Sequence, residues 1–406
     1  MKPAAVTALC VAILGASPPT SSKAQPSETF CAGLKRAVTE EVRGAEVTFV
    51  RSYQPGAEET SLPAGLASTA FVYDNALAVI SLVACRNVSE ARPIGDALSR
   101  AVSADRSFSD GRIRNAYRAG AVGEGAPALP GWWDDAAEIW AEDPAQDGTS
   151  TGNVAWAALA LLTLHEATQD ARYLADARRL IDWAIAHASS GDGFLGGFHG
   201  YDPHQVRLTW MSTEHNVDVY AASRWLFRRT GEQKYAAAAA QARRWLGRAF
   251  YQDHFLLGTK PDGSLADGDL LALDVQLWPW MAVPDAPEWR TALNFAQVNL
   301  AVDGGFDFNG DRDGIWIEGT AQAALAYRIN GDAAAGDRLL TGLKADRAAS
   351  GLLNATRTAK ITTGLSIDPT STVPDFFYYR RPHLGATAWA ALAETRWNPF
   401  IGEKAQ

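Results

Sequence analysis

The sequence predicts an all-α fold, an (α/α)6 toroid in which six inner helices are surrounded by six outer helices. Two observations lead to this prediction. Short clusters of polar and aromatic residues recur along the chain, and each opens a run of small apolar residues with helical spacing. A more charged, amphipathic segment follows most of these runs, as expected of a helix that packs outside a buried one. The six clusters cover residues 73–75, 151–153, 212–216, 274–278, 316–320 and 383–387.

The N-terminal part of the chain contains the first predicted hairpin. Residues 27–43 have an amphipathic pattern that predicts a helix, and the breakers Pro55-Gly56 and Pro63-Ala64-Gly65 predict a loop over residues 44–66. The apolar run 71–84 predicts the first inner helix, and the charged pattern of residues 91–105 predicts its outer partner. Residues 106–150 predict a long irregular segment, and their aromatic content favours a functional segment over a disordered one.

The same pairing of an apolar with a charged segment continues to the C-terminus. It is predicted at residues 153–166 with 173–187, 212–229 with 233–250, 270–283 with 287–300, and 315–329 with 333–346. Gly231 and Gly331 occupy positions at which helices are expected to end. Residues 384–395 predict the sixth inner helix, and no outer segment follows it. We therefore expect the N-terminal helix to pack against it and close the ring.

Composition and length are those of a globular protein with a sizeable core. Apolar residues make up 47% of the 406 residues and charged residues 20%. We find neither a low-complexity segment nor a Pro/Ser-rich linker. The sequence therefore predicts one domain, residues 25–406, after a secretory signal peptide at residues 1–24. That leader has a basic start, an apolar stretch too short to span a membrane, and a cleavage site of small residues.

Charge and cysteine content restrict the partners. The formal net charge is −9, and it becomes −11 when the leader with Lys2 and Lys23 is removed. Such a protein should repel nucleic acid and anionic membranes, because both are bound mainly through Lys and Arg. The sequence therefore predicts an exported protein, periplasmic or secreted, with neither as a partner. Cys31 and Cys85 are predicted either to form a disulfide or to remain free thiols. The oligomeric state stays open.

Acidic residues in the clusters are the candidates for chemistry. Glu214 and Asp218 lie four positions apart, hence on one face of a helix, where two carboxylates repel each other. A fold that keeps such a pair at the mouth of a ring usually uses it. The alternatives are that Asp218 favours the helix dipole and that Glu214 pairs with an Arg such as Arg207. Glu318 lies among apolar residues, which raises the pKa of a carboxyl and suits a general acid. A first-turn Glu that binds free backbone N–H groups is the alternative.

Weaker candidates open the other helices. Asp74 and Asp274 can orient a water or hold a sugar hydroxyl, or simply cap a helix. Asn153 and Gln276 belong to the same kind of cluster and are candidates for binding hydroxyls. His215 and His383 are further candidates for that role, and a structural donor at a helix beginning is the alternative for both.

Residues 307–314, with Glu318 as the last ligand, superficially follow the spacing of a calcium loop. Arg312 occupies the position that should be Gly, and a buried helix competes for Glu318. A solvated acidic loop is therefore the preferred interpretation. Phosphate loops, dinucleotide fingerprints, zinc motifs and nucleophile elbows are not found in the sequence. The sequence thus predicts neither a metal nor a cofactor.

The chain resembles the six-hairpin glycosidase superfamily over nearly its whole mature length. The resemblance rests on the architecture and on the strings at residues 71–77, 212–216, 316–322 and 398–400. It implies an exported glycoside hydrolase that inverts the anomeric centre with one carboxylic acid and one carboxylate base. We expect Glu214 and Glu318 to be this pair, with the two roles unassigned and Asp74 or Asp274 as substitute base. Residues expected to stack on sugar rings are Trp133, Trp210, Trp278, Trp316 and Tyr379.

Other functions remain compatible with the sequence. A polysaccharide lyase or a sugar epimerase can use the same ring with His or Tyr as base. Residues 380–383, Arg-Arg-Pro-His, support a lyase or unsaturated-uronide hydrolase, because both must neutralise a uronate. A non-catalytic glycan-binding scaffold is a third alternative, and it would tolerate loss of every carboxylate at the mouth.

Overall fold

The computed structural model describes residues 28–56, 61–266, 268 and 270–405. The predicted signal peptide, residues 1–24, lies outside the described residues. The α-helices are α1 (Phe30–Glu41), α2 (Val72–Ala84), α3 (Val88–Ser103), α4 (Pro144–Asp147), α5 (Thr151–Thr168), α6 (Ala171–His187), α7 (Thr213–Thr230), α8 (Gln233–Ala249), α9 (Leu273–Ala282), α10 (Thr291–Asn299), α11 (Ile317–Ile329), α12 (Ala333–Leu343) and α13 (Leu384–Thr395). Single 3₁₀ turns cover Ala64–Leu66, Pro287–Arg290 and Lys344–Asp346.

Six of these helices pack on one another in cyclic order. The sequence of contacts is α2, α5, α7, α9, α11 and α13, and α13 packs back against α2. They are the six predicted inner helices, each within three residues of its predicted start. Their residues are buried on all sides, as in the stretch 154–164 of α5. Complete burial of one Leu or Val side chain contributes roughly 1.5–3 kcal/mol, so these apolar runs supply much of the folding free energy.

The outer helices pack against the inner ones with a single apolar face. α3, α6, α8, α10 and α12 each contact the inner helix that precedes them, and α1 contacts α13. The expected partnership of the N-terminal helix with the last inner helix is therefore confirmed. α6 illustrates the pattern, because its buried residues recur at helical spacing between charged ones. Among the helices that the structure describes, none is long and apolar enough to cross a membrane.

Small antiparallel sheets connect the helices and depart from the sequence prediction, which contained no strands. They also run through residues 106–150, predicted as irregular. The strands are β1 (Thr48–Phe49), β2 (Thr69–Phe71), β3 (Ala116–Arg118), β4 (Gly120–Ala121), β5 (Trp132–Asp134), β6 (Ile139–Ala141), β7 (Thr149–Ser150), β8 (Ser189–Ser190), β9 (Gly193–Phe194), β10 (Gly197–His199), β11 (Val206–Leu208), β12 (Phe250–Tyr251), β13 (His254–Phe255), β14 (Ala301–Val302), β15 (Gly305–Phe306), β16 (Leu353–Asn354), β17 (Lys360–Thr362), β18 (Phe377–Tyr379), β19 (Pro382–His383), β20 (Trp397–Asn398) and β21 (Glu403–Lys404). They pair as β1–β4, β2–β3, β5–β6, β7–β10–β11, β8–β9, β12–β13, β14–β15, β16–β19, β17–β18 and β20–β21. Strands of two or three residues are too short to leave a periodic pattern in the sequence.

Amide side chains at three helix beginnings bind the backbone of a segment between helices. Asn75 accepts from the Val50 N–H and donates to the Val50 carbonyl, both at 2.9 Å. Asn216 makes the same pair of bonds with Phe194 in β9. Gln276 repeats it with Phe255 in β13. A primary amide can donate and accept at once, so it replaces a strand partner and fixes where the helix begins. Part of the polar clusters is therefore structural.

A disulfide joins Cys31 in α1 to Cys85, which follows α2, across a separation of 54 residues. Of the two alternatives left open by the sequence, the bonded one is found. The bond links the N-terminal helix to the first inner helix and so stabilises the closure of the cycle. Cross-linking a loop of this length removes conformational entropy mainly from the unfolded chain.

We predict that Cys31→Ser/Cys85→Ser lowers the free energy of unfolding by about 2–4 kcal/mol, because the unfolded chain regains loop entropy. Urea titration followed by circular dichroism measures the change. Wild-type protein with and without reductant is the control, and equal midpoints for both forms would contradict the prediction.

Candidate functional site

Acidic side chains occupy the first turn of four inner helices. They are Asp74 in α2, Glu214 in α7, Asp274 in α9 and Glu318 in α11. Asp74, Asp274 and Glu318 are buried, whereas Glu214 is partly exposed. The negative charges of Asp274 and Glu318 both act on Glu214, and those of Asp74 and Asp274 act on Glu318. The helix beginnings therefore converge closely enough for the charges of these four side chains to interact. We call the region that Asp74, Glu214, Asp274 and Glu318 surround the basin.

Only one of the two carboxyl oxygens of Glu318 accepts hydrogen bonds from the described residues. The Tyr73 hydroxyl donates to Oε1 at 2.7 Å, and the Gln322 amide donates to the same atom at 3.4 Å. Within the described part of the chain, Oε2 has no hydrogen-bond partner, although the side chain is only 1% exposed. The two oxygens of this carboxyl are thus chemically distinct.

His383 lies between two of the carboxylates. Its Nε2 is 3.5 Å from Asp74 Oδ2, and its Nδ1 is 3.7 Å from Glu318 Oε2. The ring also caps α13, because Nδ1 accepts from the Ala386 N–H at 3.2 Å. Burial lowers the pKa of His383, but the attraction of Asp74 and Glu318 outweighs it and leaves the pKa raised.

Gly385 allows the carboxylates to come together. A Cβ atom at this position would lie 2.4 Å from Asp74 Oδ1 and 2.9 Å from Glu318 Oε2. Any larger residue would displace one of the two oxygens. The first turn of α13 therefore contributes space to the site rather than a side chain, and its glycine is needed for close approach.

A second group of polar side chains surrounds Asp218. Asp218 is fully buried, and the indole N–H of Trp156 is the side-chain donor directed at it, which opposes the effect of burial on the pKa of Asp218. A Cβ atom on Gly152 would lie 2.5 Å from His215 Cδ2 and 3.3 Å from Asp218 Oδ2. His215 also lies against the Trp210 ring, with centroids 5.7 Å apart. The beginning of α5 thus packs directly on the acidic face of α7.

Burial dominates the electrostatics of the site. It raises the pKa of Glu318 to about 8, with Asp74 and Asp274 adding to the shift and His383 and Tyr73 opposing it. It also raises the pKa of Asp274 to about 7, and that of Asp218 well above its ordinary value. The pKa of Glu214 is also raised well above its ordinary value, by burial first and then by Asp274 and Glu318. Burial lowers the pKa of His215 to about 4. The basin therefore keeps several protons at neutral pH.

The structure separates the residues expected to touch a sugar into accessible and inaccessible ones. Trp133 is 56% exposed in the β5–β6 hairpin. Trp210 and Tyr379 are partly exposed, and so is Asn153, whose amide donates to Asn115 at 2.8 Å. The position of these four residues is compatible with the predicted role, which stays a prediction.

Three of the expected sugar-binding residues are placed elsewhere. Trp278 is 1% exposed and packs with Trp389 in an aromatic cluster, and its indole N–H donates to Gln322 at 3.0 Å. Trp316 is equally buried against Phe308. Both polar atoms of the Gln276 amide bind backbone, as described above. The apolar runs that follow the polar clusters form the core of the protein, so side chains within them are buried. These three side chains therefore pack against the residues of the site and are not accessible to a sugar.

Tyr73 and Trp389 contribute to the site although they were not among the predicted site residues. Trp389 Nε1 donates to the Tyr73 hydroxyl oxygen at 2.8 Å, which places both beside Glu318. Tyr53 and Tyr378 also lie close, since each interacts electrostatically with Asp74 and Glu318. Tyr73 adjoins Asp74 in the first cluster, so its sequence position was a usable signal. Nothing in the sequence marks Trp389, which reaches the site only through helix packing.

The acidic loop after β15 brings three carboxylates together. Asp307, Asp311 and Asp313 offer oxygens within 4.8 Å of one another. Asp307 already accepts from the Phe308 N–H at 2.7 Å, and Asp313 from the Thr362 N–H at 2.9 Å. Glu318, the twelfth residue of the calcium-like spacing, belongs to the carboxylate basin instead. The loop geometry is therefore explained by backbone hydrogen bonds.

Known proteins resemble this chain in structure but not in sequence. No family model matches the chain, and the search of curated proteins gives no match. A glycosidase solved in complex with glucose matches with a TM-score of 0.61 at 14% identity, over 90% of this chain and 95% of the other. A sugar epimerase from a ruminal bacterium gives 0.61 at 15% identity, over 90% and 99%. An α-mannanase from Bacteroides thetaiotaomicron gives 0.55 at 11% identity, over 91% and 96%.

These likenesses establish the fold. The chain shares its fold with a glycosidase, a sugar epimerase and an α-mannanase, which is consistent with the resemblance of the sequence to the six-hairpin glycosidase superfamily, and no family is assigned. At 10–15% identity they do not fix the activity.

We predict that Glu318→Gln stabilises the folded protein as pH rises. The ordinary pKa of a Glu carboxyl is near 4.5, and here it is about 8. Between these values the folded protein holds a proton that the unfolded chain has lost, so wild-type stability falls with increasing pH. Glutamine avoids this loss. Thermal unfolding should give a higher midpoint for the variant at pH 8 and similar midpoints at pH 4.

Glu124→Gln is the matched control, because Glu124 is exposed. The interpretation is wrong if both variants, or neither, change the difference between the midpoints at pH 4 and pH 8.

Proposed function

We propose that this protein is an exported glycoside hydrolase with a single (α/α)6-toroid catalytic domain, residues 25–406. The observation that carries the proposal is the convergence of Glu214 and Glu318 from two inner helices on one buried basin. The structural neighbours include glycosidases, which supports a carbohydrate as substrate. The cyclic packing of six inner helices supports the toroid, and the disulfide supports an oxidising compartment.

Glu318 is proposed as the general acid. With a pKa of about 8 it is protonated at neutral pH. It would give its proton to the glycosidic oxygen while the bond from that oxygen to the anomeric carbon breaks and its electron pair stays on the leaving oxygen. Burial of the carboxyl makes this possible, since a solvated Glu would already be ionised.

Glu214 is proposed as the general base. It is the partly exposed member of the group, so a water molecule can reach it. The negative charge of Glu318 raises the pKa of Glu214, so repulsion disfavours ionisation of both carboxyls, and loss of one proton leaves one acid and one base. Ionised Glu214 would take a proton from water as the water oxygen bonds to the anomeric carbon from the face opposite the leaving group. The product would then have inverted configuration. Asp74 or Asp274 is the substitute base.

The remaining residues are proposed to hold the sugar. Trp210, Trp133 and Tyr379 present accessible ring faces, and apolar sugar faces stack on such rings. Asp218 and His215 lie together against Gly152, the residue that precedes Asn153, and all three are proposed to bind hydroxyl groups. We retain them as substrate-binding candidates. His383 is better placed to orient Asp74 than to bind a hydroxyl, because both of its ring nitrogens face protein groups.

We predict that Glu318→Ala and Glu214→Ala each reduce polysaccharide cleavage by about 10²–10⁴-fold. A screen of polysaccharides with reducing-end detection identifies the substrate and measures the loss. Glu318→Ala should retain activity on aryl glycosides whose leaving group needs no proton. Azide should restore Glu214→Ala and yield a glycosyl azide. Glu124→Gln, at an exposed position, is the control, and full activity in both Ala variants would refute the proposal.

The alkaline limb of the pH–rate profile should report Glu318. Activity is expected to fall above about pH 8, because the acid loses its proton there. Measuring kcat between pH 5 and pH 10 on polysaccharide and on an activated aryl glycoside tests this. The alkaline limb should disappear for the activated substrate, and its persistence there would assign it to another group.

Sugar epimerisation is the second candidate, and His215 favours it. Its imidazole is partly exposed, its Nδ1 has no hydrogen-bond partner among the described residues, and burial lowers its pKa to about 4, so the ring is neutral and can accept a proton from carbon. A structural neighbour is a sugar epimerase. Incubating free sugars in deuterium oxide separates the alternatives, because an epimerase that works by proton transfer introduces deuterium at carbon without releasing new reducing ends.

Export is testable independently of activity. We propose cleavage of the leader before Gln25. N-terminal sequencing of protein recovered outside the cytoplasm should begin at Gln25, and an intact N-terminus would contradict the proposal.

A further inference from the structure

Two indole groups lie behind Glu318 without reaching the open basin. Trp389 in α13 and Trp278 in α9 are each at most 1% exposed, and their rings stack with centroids 5.7 Å apart. An indole N–H can only donate a hydrogen bond. Its partner must therefore use an acceptor atom for it, which restricts the partner's remaining hydrogen bonds.

The indole of Trp389 fixes the direction of one hydroxyl. Trp389 Nε1 donates to the Tyr73 oxygen at 2.8 Å, so the single Tyr73 proton is free to point at Glu318 Oε1, 2.7 Å away. Burial and the charge of Glu318 raise the pKa of Tyr73 well above its ordinary value. The hydroxyl therefore keeps its proton and remains a donor over the neutral range.

The indole of Trp278 fixes the orientation of one amide in the same way. Trp278 Nε1 donates to Gln322 Oε1 at 3.0 Å, which turns the Gln322 NH₂ group toward Glu318 Oε1 at 3.4 Å. The reverse orientation would place the NH₂ group against the indole N–H, donor against donor. We call these two chains of hydrogen bonds, Trp389–Tyr73 and Trp278–Gln322, the relays. Both relays end on Glu318 Oε1.

We infer that Trp389 and Trp278 are positioning residues that hold Glu318 Oε1 as a hydrogen-bond acceptor and so leave Oε2 as the oxygen that carries and transfers the proton. Oε2 is the buried oxygen without a donor among the described residues, and it faces the space beside Gly385. A proton on Oε1 would point at the Tyr73 hydroxyl proton, and the two donors would repel each other. The inference rests on the proposed role of Glu318 as catalytic acid.

The relays also stabilise the ionised form of Glu318, compared with the same carboxyl in apolar surroundings that offer no donor. A donor strengthens its bond when the acceptor becomes negative, and Tyr73 accordingly opposes the effect of burial on the pKa of Glu318. The other titratable groups that act on this carboxyl or lie near it come from several elements. They are Asp74, His383, Asp274, Glu214, Tyr53 and Tyr378.

The test combines a spectroscopic titration with kinetics. Infrared difference spectra between pH 6 and pH 10 should contain a protonated-carboxyl band that is absent from Glu318→Gln. In Tyr73→Phe, the pH at the midpoint of the band titration and the pH at the midpoint of the alkaline limb of kcat should both increase by about one unit. Trp389→Phe should shift both in the same direction by less, with KM unchanged, because the indole does not touch substrate.

Controls separate positioning from packing. Trp245→Phe removes another fully buried indole, one whose N–H has no partner in the described chain, and should shift neither midpoint. Gln322→Leu tests the second relay if Trp389→Phe fails to fold. Unshifted midpoints in folded Tyr73→Phe and Gln322→Leu would overturn the inference. Failure of the proposed function is distinct, because Glu318→Gln would then remain fully active whatever the band does.

Discussion

The rest of the structure depends on the burial of carboxyl groups at the beginnings of the inner helices. Removing a carboxylate from water is costly, and placing several in one basin adds repulsion. The protein meets this cost by retaining protons, by directing N–H and O–H donors at single oxygens, and by using helix N-termini, where the dipole favours negative charge. Glu318 illustrates the first two, with a pKa of about 8 and two donors on Oε1. An acid that is protonated at neutral pH follows from the same physics.

The polar clusters combine two kinds of side chain that differ in what they bind. The amides Asn75, Asn216 and Gln276 bind backbone segments and set where helices begin. The neighbouring acids Asp74 and Asp274 are thereby held at the mouth, one or two residues away. Precise placement of acids requires rigid support, and the support is supplied by the same short stretch of sequence.

The aromatic residues are divided by depth. Trp133 lies on the surface and Trp210 near the mouth, where ring faces remain accessible. Trp278 and Trp389 lie below the carboxylates, where a ring fills volume and its N–H finds a partner. Residues of the apolar inner helices therefore pack behind the carboxylates and bind the side chains that contact Glu318. Such residues act on Glu318 through the side chains of Tyr73 and Gln322.

The sequence by itself determined the helical class, the six inner helices, the pairing of the N-terminal helix with α13, and the acidic first turns. These features are local, because helical periodicity and a polar residue before an apolar run are visible within one segment. Only the tertiary structure decided that His383 lies between Asp74 and Glu318, that Gly385 leaves room for both, and that Trp278 is buried. Each depends on distances between helices far apart in the chain. A periodic pattern states that a face is buried, but not which atoms it is buried against.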